Sequence, residues 1–231
     1  MIFASSHAPR RVDLRRTGAA LLLLAAIPIA MAQTPPRRAG VDYDTANDYY
    51  AAVPTGRHKV VEQYHLGPCE KNLNARNYRK ALGECGFILR IFPNHPQALL
   101  LSMRACERST QIRCELDELF ARAIAINPKA PDTYVLHGMH LHHVRKYGEA
   151  RQSYERALEL DADSMNAHYN LGLACIELKD YACANRHAQQ AYSLGAALPG
   201  LRDRLQKAGQ WTGDAAVPAA GTRKAAATSA R

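Results

Sequence analysis

Long apolar runs are nearly missing from this 231-residue chain. The one stretch present, Gly18 to Ile29, lies near the N-terminus, which excludes a multi-span membrane protein. Glycine (14) and proline (12) are too few for a collagen-like or wholly low-complexity chain, and 22% charged residues make no polyelectrolyte. Zinc-finger spacing, an aromatic stacking signature and an Arg-rich helix are all absent, so nucleic acid is not expected as a partner. No G-x-S-x-G, H-E-x-x-H or phosphate-cradling glycine loop occurs, and no C-x-x-C. Enzymes built on those motifs, thiol oxidoreductases included, drop out. The expectation is a protein that performs no catalysis and takes no cofactor.

What is present begins with Arg10, Arg11, Arg15 and Arg16 ahead of the apolar run, and Ala30-Met31-Ala32 behind it. A basic region, a short apolar core and an A-x-A site describe a secretory signal peptide over residues 1–32, cleaved before Gln33. Thr17-Gly18-Ala19 after the arginine pair favours general secretion over twin-arginine export, and no Cys follows to accept a lipid. The expected location is periplasmic or secreted, in a bacterial envelope, with no stable membrane span after cleavage. The formal charge of +9 falls to +6 without residues 1–32, which carry four Arg against Asp13. A basic exported protein meets acidic envelope components first.

The chain also repeats itself. Shifted by 34 residues, Pro131–Ser164 lies over Met165–Leu198 without a gap. Gly138 then falls on Gly172, Tyr147 on Tyr181, Ala150 on Ala184, Ala157 on Ala191 and Leu160 on Leu194. Tyr134-x-x-His137-Gly138-x-x-Leu141 with Ala150-x-x-x-Tyr154 and Ala157 resembles the tetratricopeptide repeat (TPR) family. His168-x-x-Leu171-Gly172-x-x-Cys175 with Ala184-x-x-x-Ala188 and Ala191 repeats the resemblance. His137 stands where the family prefers Leu, and Ala162 and Ala196 replace its closing Pro. Phe92-Pro93-Asn94-His95-Pro96, Ala167 to Leu173 and Leu198-Pro199-Gly200-Leu201-Arg202 look like a set of exported bacterial TPR proteins.

The resemblance implies an all-α fold, a right-handed superhelical solenoid of helix-turn-helix repeats closed by a capping helix. The expected boundaries are a partly irregular arm at 33–64, repeats at 65–95, 96–130, 131–164 and 165–198, a cap at 199–211, and a disordered tail at 212–231. The first repeat's helix A, starting near Pro68, reads as short or irregular. The small residues Gly138 and Gly172 are expected to let each helix A press on the Ala150 or Ala184 face of its own helix B.

Six cysteines fall on repeat positions. Cys106 and Cys114 flank the turn of the second repeat, Cys175 and Cys183 the same turn of the fourth, and Cys69 and Cys85 face each other across the first helix pair. In an oxidising compartment the pairing local to each repeat predicts Cys69–Cys85, Cys106–Cys114 and Cys175–Cys183.

The concave surface built from helix A is where the family holds peptides or partner helices, so the resemblance implies a protein or peptide partner in the envelope. It points to Asp132, Val135, Met139, His142 and His143 in the third repeat, and Asn166, Tyr169, Leu173, Ile176 and Glu177 in the fourth. The second repeat supplies Leu100, Arg104, Glu107 and Arg108. The resulting reading is a scaffold or adaptor. The competing reading is a periplasmic copper or zinc protein using the cluster His137-Gly-Met139-His140-Leu-His142-His143, chiefly Met139, His142 and His143, because imidazole and thioether suit those metals.

Overall fold

The first helix must accommodate Pro68, and it does so by widening. In the computed structural model, which describes residues 46–51 and 56–213, α1 (Arg57–Val61) runs into a π-helical segment (Glu62–Leu66) and on into α2 (Gly67–Asn74). Proline has no N–H for the carbonyl four residues back, and its ring crowds that carbonyl. The wider turn just ahead of Pro68 removes the conflict. Helix A of the first unit therefore starts at Arg57, earlier than 65, and residues 57–64 are helical rather than part of an irregular arm.

Eight further helices follow: α3 (Tyr78–Ile91), α4 (Pro96–Arg108), α5 (Leu116–Ile126), α6 (Pro131–His143), α7 (Tyr147–Leu160), α8 (Met165–Glu177), α9 (Tyr181–Ser193) and α10 (Gly200–Lys207). No strand occurs among the described residues. Pro96 and Pro131 open α4 and α6, where a missing N–H leaves no bond unmade. The His95, Ser164 and Asp180 side chains cap α4, α8 and α9, accepting from the N–H of Ala98, Ala167 and Cys183.

Helices pair as antiparallel hairpins and stack, α2 on α3, α6 on α7, α8 on α9, with α7 against α8 and α10 closing on α8 and α9. This is an all-α solenoid. Its core runs in two stretches. One gathers Ile88, Phe92, Leu99 and Phe120 around the Cys69–Cys85 bridge. The other gathers Tyr154, Leu171, Leu201 and Leu205, with Met139 touching both. Leu201 and Leu205 are fully buried, so α10 covers apolar surface that the last hairpin would otherwise expose.

All three expected disulfides are formed, Cys69–Cys85, Cys106–Cys114 and Cys175–Cys183, with Cα separations of 5.6, 6.0 and 5.9 Å. The second hairpin is the loosest: a non-helical link from Ser109 to Glu115 joins α4 to α5, and Cys106–Cys114 ties that link's two ends.

The glycine contacts differ in detail from the expectation. At Gly138 a Cβ would meet the Tyr154 ring of α7, and at Gly172 the Leu201 side chain of the capping helix, so neither nearest neighbour is Ala150 or the Ala184 side chain. The large ring and the cap fill the space that the small residues leave.

Residues 46–51 form a strap across the turns. Asp48 accepts from Asn94 Nδ2 (2.6 Å) and Asn127 Nδ2 (3.0 Å), the Tyr49 N–H donates to Asn94 Oδ1 (2.8 Å), and the Asn47 N–H to the Ile91 carbonyl (2.7 Å). The Tyr49 ring lies against His58, Phe92 and His95. His95 Nδ1 accepts from Ala98, which leaves Nε2–H to donate to Glu62 at 3.1 Å. At the other end the Thr212 N–H donates to Asn185 Oδ1. The expected signal peptide and nearly all of the expected tail lie outside the described residues.

Candidate functional site

Helices α4, α6 and α8 each turn one face toward a common trough. Apolar residues at helical spacing on α6 and their counterparts on α4 and α8 make its floor, and the polar residues beside them make its rim. Its larger part is a cavity of about 630 Å³ lined by Gln97, Leu100, Arg104, Asp132, Val135, Leu136, Met139, Asn166, Tyr169 and Asn170, with Pro96 and Leu198 at its edges. A second cavity of about 270 Å³ continues it, lined by Met103, Arg104, Glu107, Met139, His142, His143, Tyr154, Asn170 and Leu173. Arg104, Met139 and Asn170 border both.

Of the ten groove residues read from the third and fourth repeats, eight line these cavities. Ile176 and Glu177 do not: Ile176 packs against the core of the C-terminal half, and Glu177 holds Arg204 of α10. Arg108 also lies outside them, whereas Leu100, Arg104 and Glu107 are included. Val135 and Leu136 are buried, so they form floor rather than rim. Asn170 escaped the reading although it follows Asn166 by one helical turn on the same face. Tyr154 escaped it because it belongs to helix B, and only the glycine at 138 lets its ring through to the trough.

Tyr154 is the unusual member. Its side chain is completely buried, and its hydroxyl has no hydrogen-bond partner among the described residues. Burial pushes the phenol's pKa well above the usual value, so it stays a neutral donor. On the rim, Tyr50 of the strap donates its hydroxyl to Asp132 at 3.2 Å. Burial first and the Asp132 carboxylate second raise the Tyr50 pKa in turn. The strap thus reaches the trough's edge.

The histidine cluster disperses instead of converging. His137 Nδ1 meets Ser153 Oγ at 3.2 Å. His140 is buried against Phe120 with Nε2 on Asp117 at 2.9 Å. His142 turns its ring to Tyr147, and His143 lies 3.7 Å from Glu107, with both histidines on the wall of the smaller cavity. Burial holds the pKa of both His137 and His142 below the ordinary range. Among the described residues no three His, Cys, Asp or Glu side chains gather as a metal site would require. The copper or zinc reading built on Met139, His142 and His143 thus finds no such group in its support among the described residues. Successive residues on a helix point about 100° apart, so four histidines within two turns face four neighbours.

Residues 146–178 match the TPR repeat family, in agreement with the hairpin architecture. Protein O-mannosyl-transferase TMTC3 of Mus musculus and of Homo sapiens are each 33% identical over 95 residues, 41% of this chain. The chain spans 10% of the length of these curated relatives. Among solved structures, a crystal structure of MamA protein superposes with a TM-score of 0.49 at 14% identity, covering 66% of this chain and 85% of the other. A thermophilic TPR protein of Thermus thermophilus gives 0.47 at 16% identity, covering 61% and 77%.

Proposed function

We propose that the chain is a non-catalytic TPR scaffold or adaptor of the cell envelope, binding a segment of another envelope protein in the trough formed by α4, α6 and α8. The observation that carries this reading is the trough itself, two adjoining cavities of about 630 and 270 Å³ lined by facing residues of α4, α6 and α8. It offers apolar floor at Leu100, Val135, Met139 and Leu173, and amide and charged groups at Gln97, Arg104, Asn166 and Asn170. That mixture suits a peptide segment, whose backbone needs hydrogen bonds and whose side chains need apolar contact.

The TPR match supports a protein-interaction role, and the likeness to the transferase spans only a tenth of that protein's length. Three intramolecular disulfides accord with an oxidising compartment, as the basic–apolar–A-x-A start of the sequence also does. No described helix is long and apolar enough to cross a membrane.

The test is affinity capture from the native envelope extract, read by mass spectrometry, with two controls. Leu100→Glu with Leu173→Glu places charge in the trough without entering the core. Tyr154→Phe removes only the hydroxyl. A partner lost from the first control and kept by the second, which leaves the trough surface unchanged, supports the trough as the site. A partner held equally by all three proteins places binding elsewhere.

A further inference from the structure

Three of the hairpin turns end helix A in the same way. After α2, α6 and α8 the chain enters the left-handed region at a non-glycine residue: Arg76 (φ 61°), Arg145 (φ 63°) and Lys179 (φ 60°). The hydrogen bonds repeat as well. The N–H of each of these residues donates to the carbonyl three back (Leu73, His142, Ile176), and the next N–H to the carbonyl five back (Asn72, Leu141, Cys175). Glycine is the residue that makes this turn without steric penalty. The chain does use it where the same bonds recur after α9 and α10, at Gly195 and Gly209. On the hairpin-turn edge it instead keeps a long cation in a conformation unfavourable to any L side chain. A strained position held by one charge type in three registers signals a function at that edge.

The surroundings say what the function is. Several acids nearby are neutralised: Glu115 by Arg113, Glu149 by Lys146, Asp180 by Arg151 and Glu177 by Arg204. Of the acids in the first turns of α3, α5, α7 and α9, Asp117 meets the His140 ring and Glu118 has no ion-pair partner among the described residues. Arg76, Arg145 and Lys179 are exposed and without an ion-pair partner among the described residues, as are Arg79, Lys80 and Arg108 beside the first two turns. Immediately before two of the left-handed cations stand Val144 and Leu178, 44% and 40% exposed, and two residues after them Tyr147 and Tyr181, half-buried. Cys175–Cys183 pins the fourth turn and Cys106–Cys114 the second. The turns of Arg145 and Lys179 belong to successive hairpins packed on each other through α7 and α8.

We propose that this row of turns is a docking edge for an anionic phospholipid bilayer surface. A row of unpaired cations meets many phosphates of a planar surface together. Val144 and Leu178 reach the boundary between headgroups and acyl chains, and the tyrosine rings match the headgroup level. The trough is built from helix A faces and stays open while the turns are engaged, so this inference stands independently of the trough's occupant.

The experiment is sedimentation of the full chain with vesicles of phosphatidylcholine alone and of phosphatidylcholine mixed with phosphatidylglycerol. Each variant is compared with the native chain on the same vesicles, so the apolar N-terminal run and the arginines ahead of it contribute equally to both. Arg145→Gly with Lys179→Gly removes two charges while giving both turns their preferred residue, so the melting temperature should hold or rise. The preference for the anionic vesicles should fall by about 25-fold, about fivefold for each cation. Val144→Ser with Leu178→Ser should weaken binding to anionic vesicles while leaving the fold intact. An anionic preference that is absent, or that survives in the glycine variant, overturns the proposal. So does complete displacement of vesicles by polyglutamate with no effect of the serine variant, which would identify an acidic protein surface as the partner.

Discussion

Gly138 of α6 lies so close to the Tyr154 ring of α7 that a methyl group on its Cα would sit 2.4 Å from Cε1 and 2.7 Å from Cδ1. The ring is fully buried. This contact places an aromatic side chain from helix B beside a trough otherwise built by helix A. Gly138→Ala should therefore destabilise by about 1–3 kcal/mol through overpacking. That is a fall of roughly 2–10 °C in melting temperature for a chain of this size. Gly172→Ala should be milder, because the nearest atom there is the end of the flexible Leu201 side chain. Gly86→Ala in α3, where a Cβ meets nothing within 4 Å, should stabilise by about 0.5–1 kcal/mol. Calorimetry on the three variants checks the order.

Tyr154→Phe separates the fold from the site. Removing a buried hydroxyl that has no partner removes an unfavourable desolvated donor, so stability should hold or rise by up to about 1–3 kcal/mol. Partner capture should be unchanged, because the hydroxyl is out of reach of anything seated in the trough. A melting temperature that falls would show that the hydroxyl has a favourable partner.

The sequence revealed the regular parts best. The 34-residue offset carried α6 to α9 because small and aromatic residues recur there in register, and cysteines recurring on equivalent positions carried the pairings. The first hairpin was harder, since Pro68 reads as a helix start whereas the helix passes through it by a π turn. The strap was not legible at all: Asp48, Asn94 and Asn127 are far apart in sequence, and no periodicity links a polar residue to partners on two different turns. Tyr154 was legible as an aromatic position of the repeat pattern, whereas its burial and its place beside the trough depend on the tertiary gap at Gly138.

The disulfides should differ in weight. Cys69–Cys85 closes a loop of 16 residues and the other two close 8 each. Chain-entropy arguments give about 3 kcal/mol for the first and about 2.5 for each of the others. Cys69→Ala with Cys85→Ala should thus lower the melting temperature at least as much as Cys175→Ala with Cys183→Ala. Adding a reductant to the native protein should exceed either. Scanning fluorimetry with and without reductant decides it.

Asp48 is the strap's anchor, accepting from Asn94, Asn127 and the Tyr50 N–H. Asn94 is fully buried, so Asp48→Ala strands its Nδ2 donor and should destabilise by about 1–3 kcal/mol. The Tyr49 N–H, held by Asn94 Oδ1, should exchange with solvent much faster, while amides in α8 and α9 keep their protection. Uniform acceleration across the chain would show global loosening and refute a local strap.

Acid should weaken the fold through its histidines. Burial lowers the pKa of His95, His137, His142 and His187, and His187 falls to about 4 with the neighbouring His168 as the next cause. His168 Nε2 donates to the Ala162 carbonyl (3.0 Å), so its Nδ1 accepts, and His187 Nδ1–H is the donor across 2.9 Å. The unfolded chain takes up this proton near pH 6.5, whereas the folded chain resists until about pH 4. Between those values the unfolded state holds more protons, so stability is complete above about pH 6.5 and declines as pH falls toward 4. A fully buried ring would lose roughly 2 kcal/mol between pH 6.5 and 5; with half-exposed screening the expected loss from His187 is about 1 kcal/mol. His187→Asn keeps a donor toward His168 and removes the titration, so its melting temperature should fall less between pH 7 and pH 5 than the native protein's. Equal slopes would assign the acid sensitivity to the other three histidines.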